Sequence, residues 1–134
     1  MLRRNSFDYA VVRIVPRVER AEFVNTGVIV FCAERQFLRC RVHIDQTRLK
    51  ALWPDLDINL VRRHVEAIPR ICAGTDDAGP LRRLSLSQRF HWLVAPRSTM
   101  IQISPVHSGL LCGSADEMVD RLFNELVALR AADR

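Results

Sequence analysis

No stretch of this 134-residue sequence comes near the roughly 18–20 uninterrupted apolar residues that a membrane-spanning helix needs, and the start MLRRNSFDY has no apolar core behind its arginines that could act as an export signal. Together these absences predict a cytoplasmic protein with no membrane segment. Glycine is sparse: the five glycines are isolated from one another, so neither a P-loop nor a G-x-G-x-x-G turn can cradle phosphate. There is no G-x-S-x-G elbow, and His107 beside Ser108 are neighbours in sequence only, so no nucleophilic triad is legible. The four cysteines, Cys32, Cys40, Cys72 and Cys112, contain no C-x-x-C pair and read as buried free thiols. Among the four histidines, His43, His64, His91 and His107, none forms an i, i+4 pair. No metal and no cofactor is predicted. Acids are not clustered either: Glu19 and Glu22 flank Arg20 in a turn and read first as a solvated acid-base cluster, and Asp76 and Asp77 as solubilising loop residues.

What is present is an ordinary globular balance, 49% hydrophobic and 26% charged, so residues 1–134 are read as a single domain that removes roughly 70% of its unfolded surface from water. Lysine is nearly missing, because Lys50 is the only one among 20 cations. The net charge of +5 is uneven: residues 1–70 hold 13 cations against 8 acids, whereas residues 71–134 hold 7 of each. An arginine excess suits a nucleic-acid or phosphate partner, since the guanidinium fork matches phosphate oxygens; the plainer reading is a solvated surface with a positive bias.

Hydrophobic periodicity supplies the architecture. Asp8 to Arg17 reads as a strand with Ala10, Val12 and Ile14 on one face, ended by Pro16; Asn25-Thr26-Gly27 reads as a turn or bulge needing positive φ. Val28 to Cys32, apolar on both faces, is predicted as the middle of the sheet. Phe37 to Ile44 alternates cleanly, with Arg39, Arg41 and His43 as a basic stripe. Asp45 caps a short helix stopped by Pro54. A longer helix starts at Asp57 with a stripe of Val61, Val65, Ile68 and Cys72, which Pro69 is expected to kink or end. Residues 73–80 read as a surface loop, Ser87 to Val94 as two helical turns capped by Ser87, Met100 to Ser104 as a fourth strand, and the next ten residues as a loop. Ser114 and Glu117 form a capping box for a terminal helix. The predicted fold is α+β: an antiparallel sheet of about four strands packed against two main helices, near 57–72 and 114–131.

One segment is unusually rich in chemistry. Arg89, His91, Trp92, Arg97, Ser98, Thr99, Gln102 and His107 crowd the proline-punctuated run Arg89–Gly109. Arginine and histidine hold phosphate or carboxylate, Ser98 and Thr99 supply hydroxyls, Gln102 an amide, and Trp92 a flat face for a base or peptide. The competing reading packs Trp92 in the core and spends the rest on loop backbone. A site here requires that segments 13–27 and 89–109 meet in one hollow.

The runs FDYAVVRIVPRVERAEFVNTGVIVFCAE (7–34), ALWPDLDINLVRRHVEAI (51–68) and RFHWLVAPRSTMIQISPVHSGL (89–110), about half the chain, resemble the uncharacterised bacterial family DUF3037. The resemblance extends to Arg13, Pro16, Glu19, Arg20, Glu22, Phe23, Asn25, Gly27, Arg89, Phe90, His91, Trp92, Arg97, Ser98, Gln102, Pro105, His107 and Gly109. It implies no established activity or catalytic residue. It does imply a small bacterial protein often encoded beside a kinase similar to the HipA toxin. Two functions are therefore expected as alternatives. One is a non-enzymatic binding or regulatory module that partners a HipA-like kinase, presenting Arg13, Arg20, Arg97 and the His91/His107 loop. The other is a nucleic-acid or nucleotide-binding protein, or a phosphate-ester-processing enzyme, that uses residues 89–109. A homodimer stabilised by the same polar segment is a third reading.

Overall fold

The computed structural model describes residues 5–97, 99–111 and 113–128. Five antiparallel strands form one sheet: β1 (Asn5–Ile14), β2 (Val24–Cys32), β3 (Phe37–Val42), β4 (Ile101–Ile103) and β5 (His107–Leu111), in the order β3-β2-β1-β4 with β5 also on β1. The α+β class is as the sequence predicts, with one strand more. Four α-helices accompany the sheet among the described residues: α1 (Gln46–Leu52), α2 (Ile58–Ala73), α3 (Leu86–Val94) and α4 (Ala115–Leu126). None is long and apolar enough to cross a membrane.

Strand parity divides the core between two faces of the sheet. Val28, Val30 and Cys32 of β2 pack with Phe7 of β1 and with Met118, Val119, Leu122 and Phe123 of α4. Ile29 and Phe31 point the other way, to Ile68 and Ile71 of α2 and Phe90 and Leu93 of α3. A third cluster joins Ile14 and Val24 to Leu49 of α1 and Val61 and Val65 of α2. With helices on both faces, β2 is apolar throughout its second half, and each fully buried Val or Ile contributes about 1.5–3 kcal/mol. β2 lies inside the sheet, but the central strand is β1, whose N-terminal half pairs with β5 and whose C-terminal half pairs with β4.

Local signals explain the element ends. Asp45 and Asp57 cap α1 and α2 by accepting from the N–H of Arg48 and Leu60. Pro69, expected to kink or end the helix, does not end it: α2 runs on to Ala73 and stops at Gly74, whose φ of 67° closes the helix in the left-handed region. Proline removes one ladder bond to Val65, while the stripe Val61, Val65, Ile68 and Cys72 is buried on both sides of it. The cap of α3 is Ser85, not Ser87; Ser85 accepts from the Gln88 N–H (3.1 Å) and the Gln88 side chain accepts from the Ser85 N–H (2.9 Å). Ser114 accepts from the Glu117 N–H at 3.0 Å, capping α4. Of residues 73–80, expected as loop, Ala73 ends α2, and 76–80 belong to a short 3₁₀ segment, Asp76–Arg83, broken at Gly79.

The bulge expected at Asn25-Thr26-Gly27 is there, because Arg13 faces Asn25 and Val12 faces Gly27, which leaves Thr26 as the extra residue. Gly27 needs no positive φ. It is glycine because a Cβ would meet Val42 Cγ1 at 2.6 Å and the Arg41 carbonyl at 2.8 Å.

The basic stripe of β3 lies against α4. Arg39 pairs with Asp116, and Arg41 with Asp120 at 2.9 Å, its guanidinium 4.2 Å above the Phe123 ring. Two strand residues advance about 6.7 Å and four helical residues about 6 Å, so the two spacings match and both pairs form together.

Candidate functional site

A hollow of about 440 Å³ lies between α2, α3 and β4. Its floor is Ile68 and Ile71 of α2, Leu93 of α3 and Ile101 and Ile103 of β4; its rim carries His64, Trp92, Arg97 and Thr99. Helical spacing builds the α2 wall, because His64, Ala67, Ile68 and Ile71 stand at i, i+3, i+4 and i+7. Trp92 is 43% exposed, large and apolar in water. The Arg97 guanidinium stacks 4.3 Å above its ring and donates to the carbonyls of Leu93 (3.1 Å) and Trp92 (2.6 Å). Those carbonyls belong to the last turn of α3, where a cation offsets the helix dipole. Two hydrogen bonds and a stacked ring fix the guanidinium at the mouth of the groove with donors to spare, since it carries five N–H groups.

The single hollow expected from segments 13–27 and 89–109 does not form. Of the residues singled out in the sequence, Trp92, Arg97 and Thr99 line the groove among the described residues. Arg13 and Gln102 are cross-strand partners in the unbroken β1–β4 register. Their neighbours Val12, Ile14, Ile101 and Ile103 point to the groove side, so Arg13 and Gln102 point to the opposite face. Asn25 faces Arg13 across the bulged β1–β2 pair, which makes a polar row, Asn25–Arg13–Gln102, across three strands. Arg13 lies 4.3 Å above the Phe23 ring, Asn25 Nδ2 donates to the Leu126 carbonyl (3.0 Å) and Gln102 Nε2 to the Thr99 carbonyl (3.0 Å). Arg13 Nε and Asn25 Oδ1, a donor and an acceptor on facing residues, are both buried without a partner among the described residues.

The remaining predicted residues are local. Glu19, Arg20 and Glu22 stand exposed in the turn between β1 and β2, Glu19 paired with Arg17 and Arg20 with Glu22. The Arg17 bond holds the Glu19 carboxyl below the ordinary carboxylate range. His91 Nδ1–H donates to the Ser87 carbonyl one turn back (2.7 Å), and His107 stacks on Tyr9 with ring centroids 5.3 Å apart. The two imidazoles occupy different elements, α3 and β5, and their ring neighbours, Phe90 and Tyr9, belong to the cores on opposite faces of the sheet. Ser98 lies outside the described residues.

Arg89 is structural. Buried to 9% exposure, it donates to the carbonyls of Leu84 (3.0 Å), Arg82 (3.5 Å) and Cys72 (3.5 Å), closing the C-terminal end of α2 onto the start of α3. A Cβ on Gly74 would come within 2.9 Å of its Nη1, so that glycine both turns the chain and leaves room for the guanidinium.

A second hollow of about 370 Å³ opens beside the end of α4, lined by Asn25, Arg41, His43, Asp45 and Arg48 with Phe123 and Val127. Its polar wall comes from Asn25 of β2, Arg41 of β3, His43 and Asp45 of the connection that follows, and Arg48 of α1; of these only Asn25 was singled out as a site residue in the sequence. No group of three or more metal-ligating side chains occurs among the described residues.

A family model described as a protein of unknown function, DUF3037, matches residues 9–127. No curated protein and no solved structure matches the chain.

Proposed function

The chain belongs to the DUF3037 family, and on that footing we propose that it is a binding or regulatory module whose working surface is the groove between α2, α3 and β4, with a HipA-like kinase as its partner. The observation that carries this reading is the Trp92–Arg97 pair: an exposed indole and a clamped guanidinium at the mouth of an apolar groove. Tryptophan and arginine are the residue types that dominate protein interfaces, and each is held here at little further entropic cost. Among the described residues the floor is aliphatic, made of Ile68, Ile71, Leu93, Ile101 and Ile103, a surface suited to holding apolar side chains. Co-expression with a HipA-like kinase is expected to yield a complex that survives purification at physiological salt, and Trp92→Ala or Arg97→Ala to weaken it by about tenfold or more. Recovery of only the separate proteins overturns the proposal.

The second reading, a nucleotide or other phosphate ligand, draws on the hollow beside α4, where Arg41, His43 and Arg48 face Asn25. Two features count against it: Arg41 is already paired with Asp120, and Asp45 adds a negative charge to the lining. Calorimetric titration with inorganic phosphate, nucleotides and short RNA and DNA decides between them. Heat that is lost in Arg48→Ala but kept in Arg97→Ala moves the function to this hollow.

A further inference from the structure

Beside the groove, β4 leaves most of one side of its backbone unpaired among the described residues. Ser104 N–H donates to the Val11 carbonyl (2.9 Å) and Val15 N–H to the Met100 carbonyl (2.7 Å), so the inward-bonding positions along this strand are 100, 102 and 104. Ile101 and Ile103 consequently turn their main-chain groups away from β1. The Thr99 hydroxyl donates to the Ile101 carbonyl (2.7 Å). The Ile101 N–H and both main-chain groups of Ile103 have no partner among the described residues. The side chains of these same two isoleucines form the groove floor. An open ladder and an apolar trough thus lie side by side, served by the same residues.

We propose that the groove accepts an extended segment of another protein, which adds a strand to the outer edge of β4, sets alternate apolar side chains on Ile101 and Ile103, and places an acidic side chain on Arg97. This rests on the groove being the binding surface proposed above. Main-chain bonds at a sheet edge supply affinity for any extended chain, and the pockets for alternate side chains supply selectivity. Charge selects the occupant: among the described residues the lining contains Arg97 and His64 and no Asp or Glu, so an acid-bearing strand is favoured. A second copy of this chain, itself at +5, would bring Arg97 against its own like. Nucleic acid is disfavoured by a lining that offers a phosphate backbone a single guanidinium between apolar walls.

The test is selection of decapeptides from a random displayed library on the full chain, followed by binding of the free peptides to isotopically labelled protein. The expected winners alternate apolar residues with at least one Asp or Glu, shift the Trp92 and Arg97 signals, and slow amide exchange at Ile101 and Ile103. N-methylation of the peptide backbone at one parity should cost about tenfold or more in affinity, and at the other parity about twofold or less, because only alternate N–H groups face β4. Methylation on the peptide leaves the protein's own folding untouched. Arg97→Gln should remove the preference for an acid and keep the parity effect. Peptides that move Trp92 and Arg97 but tolerate methylation at every position, or that space apolar residues as a helix does, overturn strand addition and leave the groove as a binding surface. If no selected peptide moves those signals, the groove reading falls as well, and a DNA or RNA oligomer that does move them assigns the surface to nucleic acid.

Discussion

Replacing Arg89 by methionine separates a structural arginine from a functional one. The side chain is buried to 9% exposure and gives one well-placed bond, to the Leu84 carbonyl at 3.0 Å, and two long ones, to Arg82 and Cys72 at 3.5 Å. A bond from a charged donor contributes about 1.5–3 kcal/mol, and the long ones less. Methionine keeps the volume of the stem and relieves the cost of burying a charge, but leaves three carbonyls short of a donor. The net loss is about 3 kcal/mol. For 134 residues the unfolding entropy is about 280 cal/mol/K, so the melting temperature should fall by about 10 °C. Calorimetric melting of wild type, Arg89→Met and Arg89→Lys is the assay; lysine should rescue little, because one ammonium cannot span three carbonyls as a planar fork does. A melting point within about 2 °C of wild type, together with loss of binding at the groove, would show that Arg89 serves a ligand and that the structural reasoning is wrong.

Gly27→Ala should destabilise the chain by about 2 kcal/mol or more, read as a lower urea midpoint at unchanged slope, because the new methyl meets the backbone of β3; an unchanged midpoint means the bulge can move aside. Glu19 should titrate below the ordinary carboxylate midpoint, and Arg17→Ala should raise it towards that midpoint by removing the hydrogen bond that lowers it. The sign follows from the ionised form being favoured: the contact is intact above the ordinary midpoint and lost as pH falls through the lowered one. NMR titration of the Glu19 carboxyl checks this, and a midpoint insensitive to Arg17 refutes it. Cys40 should resist Ellman's reagent at pH 8 until the chain is unfolded, since the adjoining Cys72 thiol and burial both push its pKa up; prompt labelling at Cys40 in the native protein contradicts that.

Most elements were legible because their patterns are local. The alternation of Leu38 and Cys40 with Arg39 and Arg41, the stripe through Val61 and Val65, and the Asp45, Asp57 and Ser114 caps each depend on residues within a turn or two of one another. β5 was missed for a matching reason: His107-Ser108-Gly109 has no apolar alternation, and it is a strand only because β1 offers it a ladder about 100 residues away in sequence. Gly109 fits that ladder without a side chain, since a Cβ would meet the Phe7 ring at 2.8 Å. The site was harder still. Sequence parity puts Gln102 opposite Ile101 and Ile103, and Arg13 opposite Val12 and Ile14, so it already placed both polar groups away from any pocket floored by those isoleucines. What it could not supply was the pairing of β1 with β4, which shows Arg13 and Gln102 to be on the same side and Arg97 on the other. The α2 wall was likewise readable as a second stripe, His64-Ala67-Ile68-Ile71, but nothing local says which strand it faces.

The central position of β1 also imposes an order on synthesis. As the chain leaves the ribosome, β1, β2 and β3 can zip into a meander as soon as residue 42 is free, yet the far flank of β1 stays bare until residues 101–111 emerge. The Ser104 hydroxyl that accepts from the Val11 N–H arrives 93 residues after its partner. During that interval the nascent meander exposes an unpaired edge of up to ten residues, the stage at which it is most open to misassembly with a neighbouring chain.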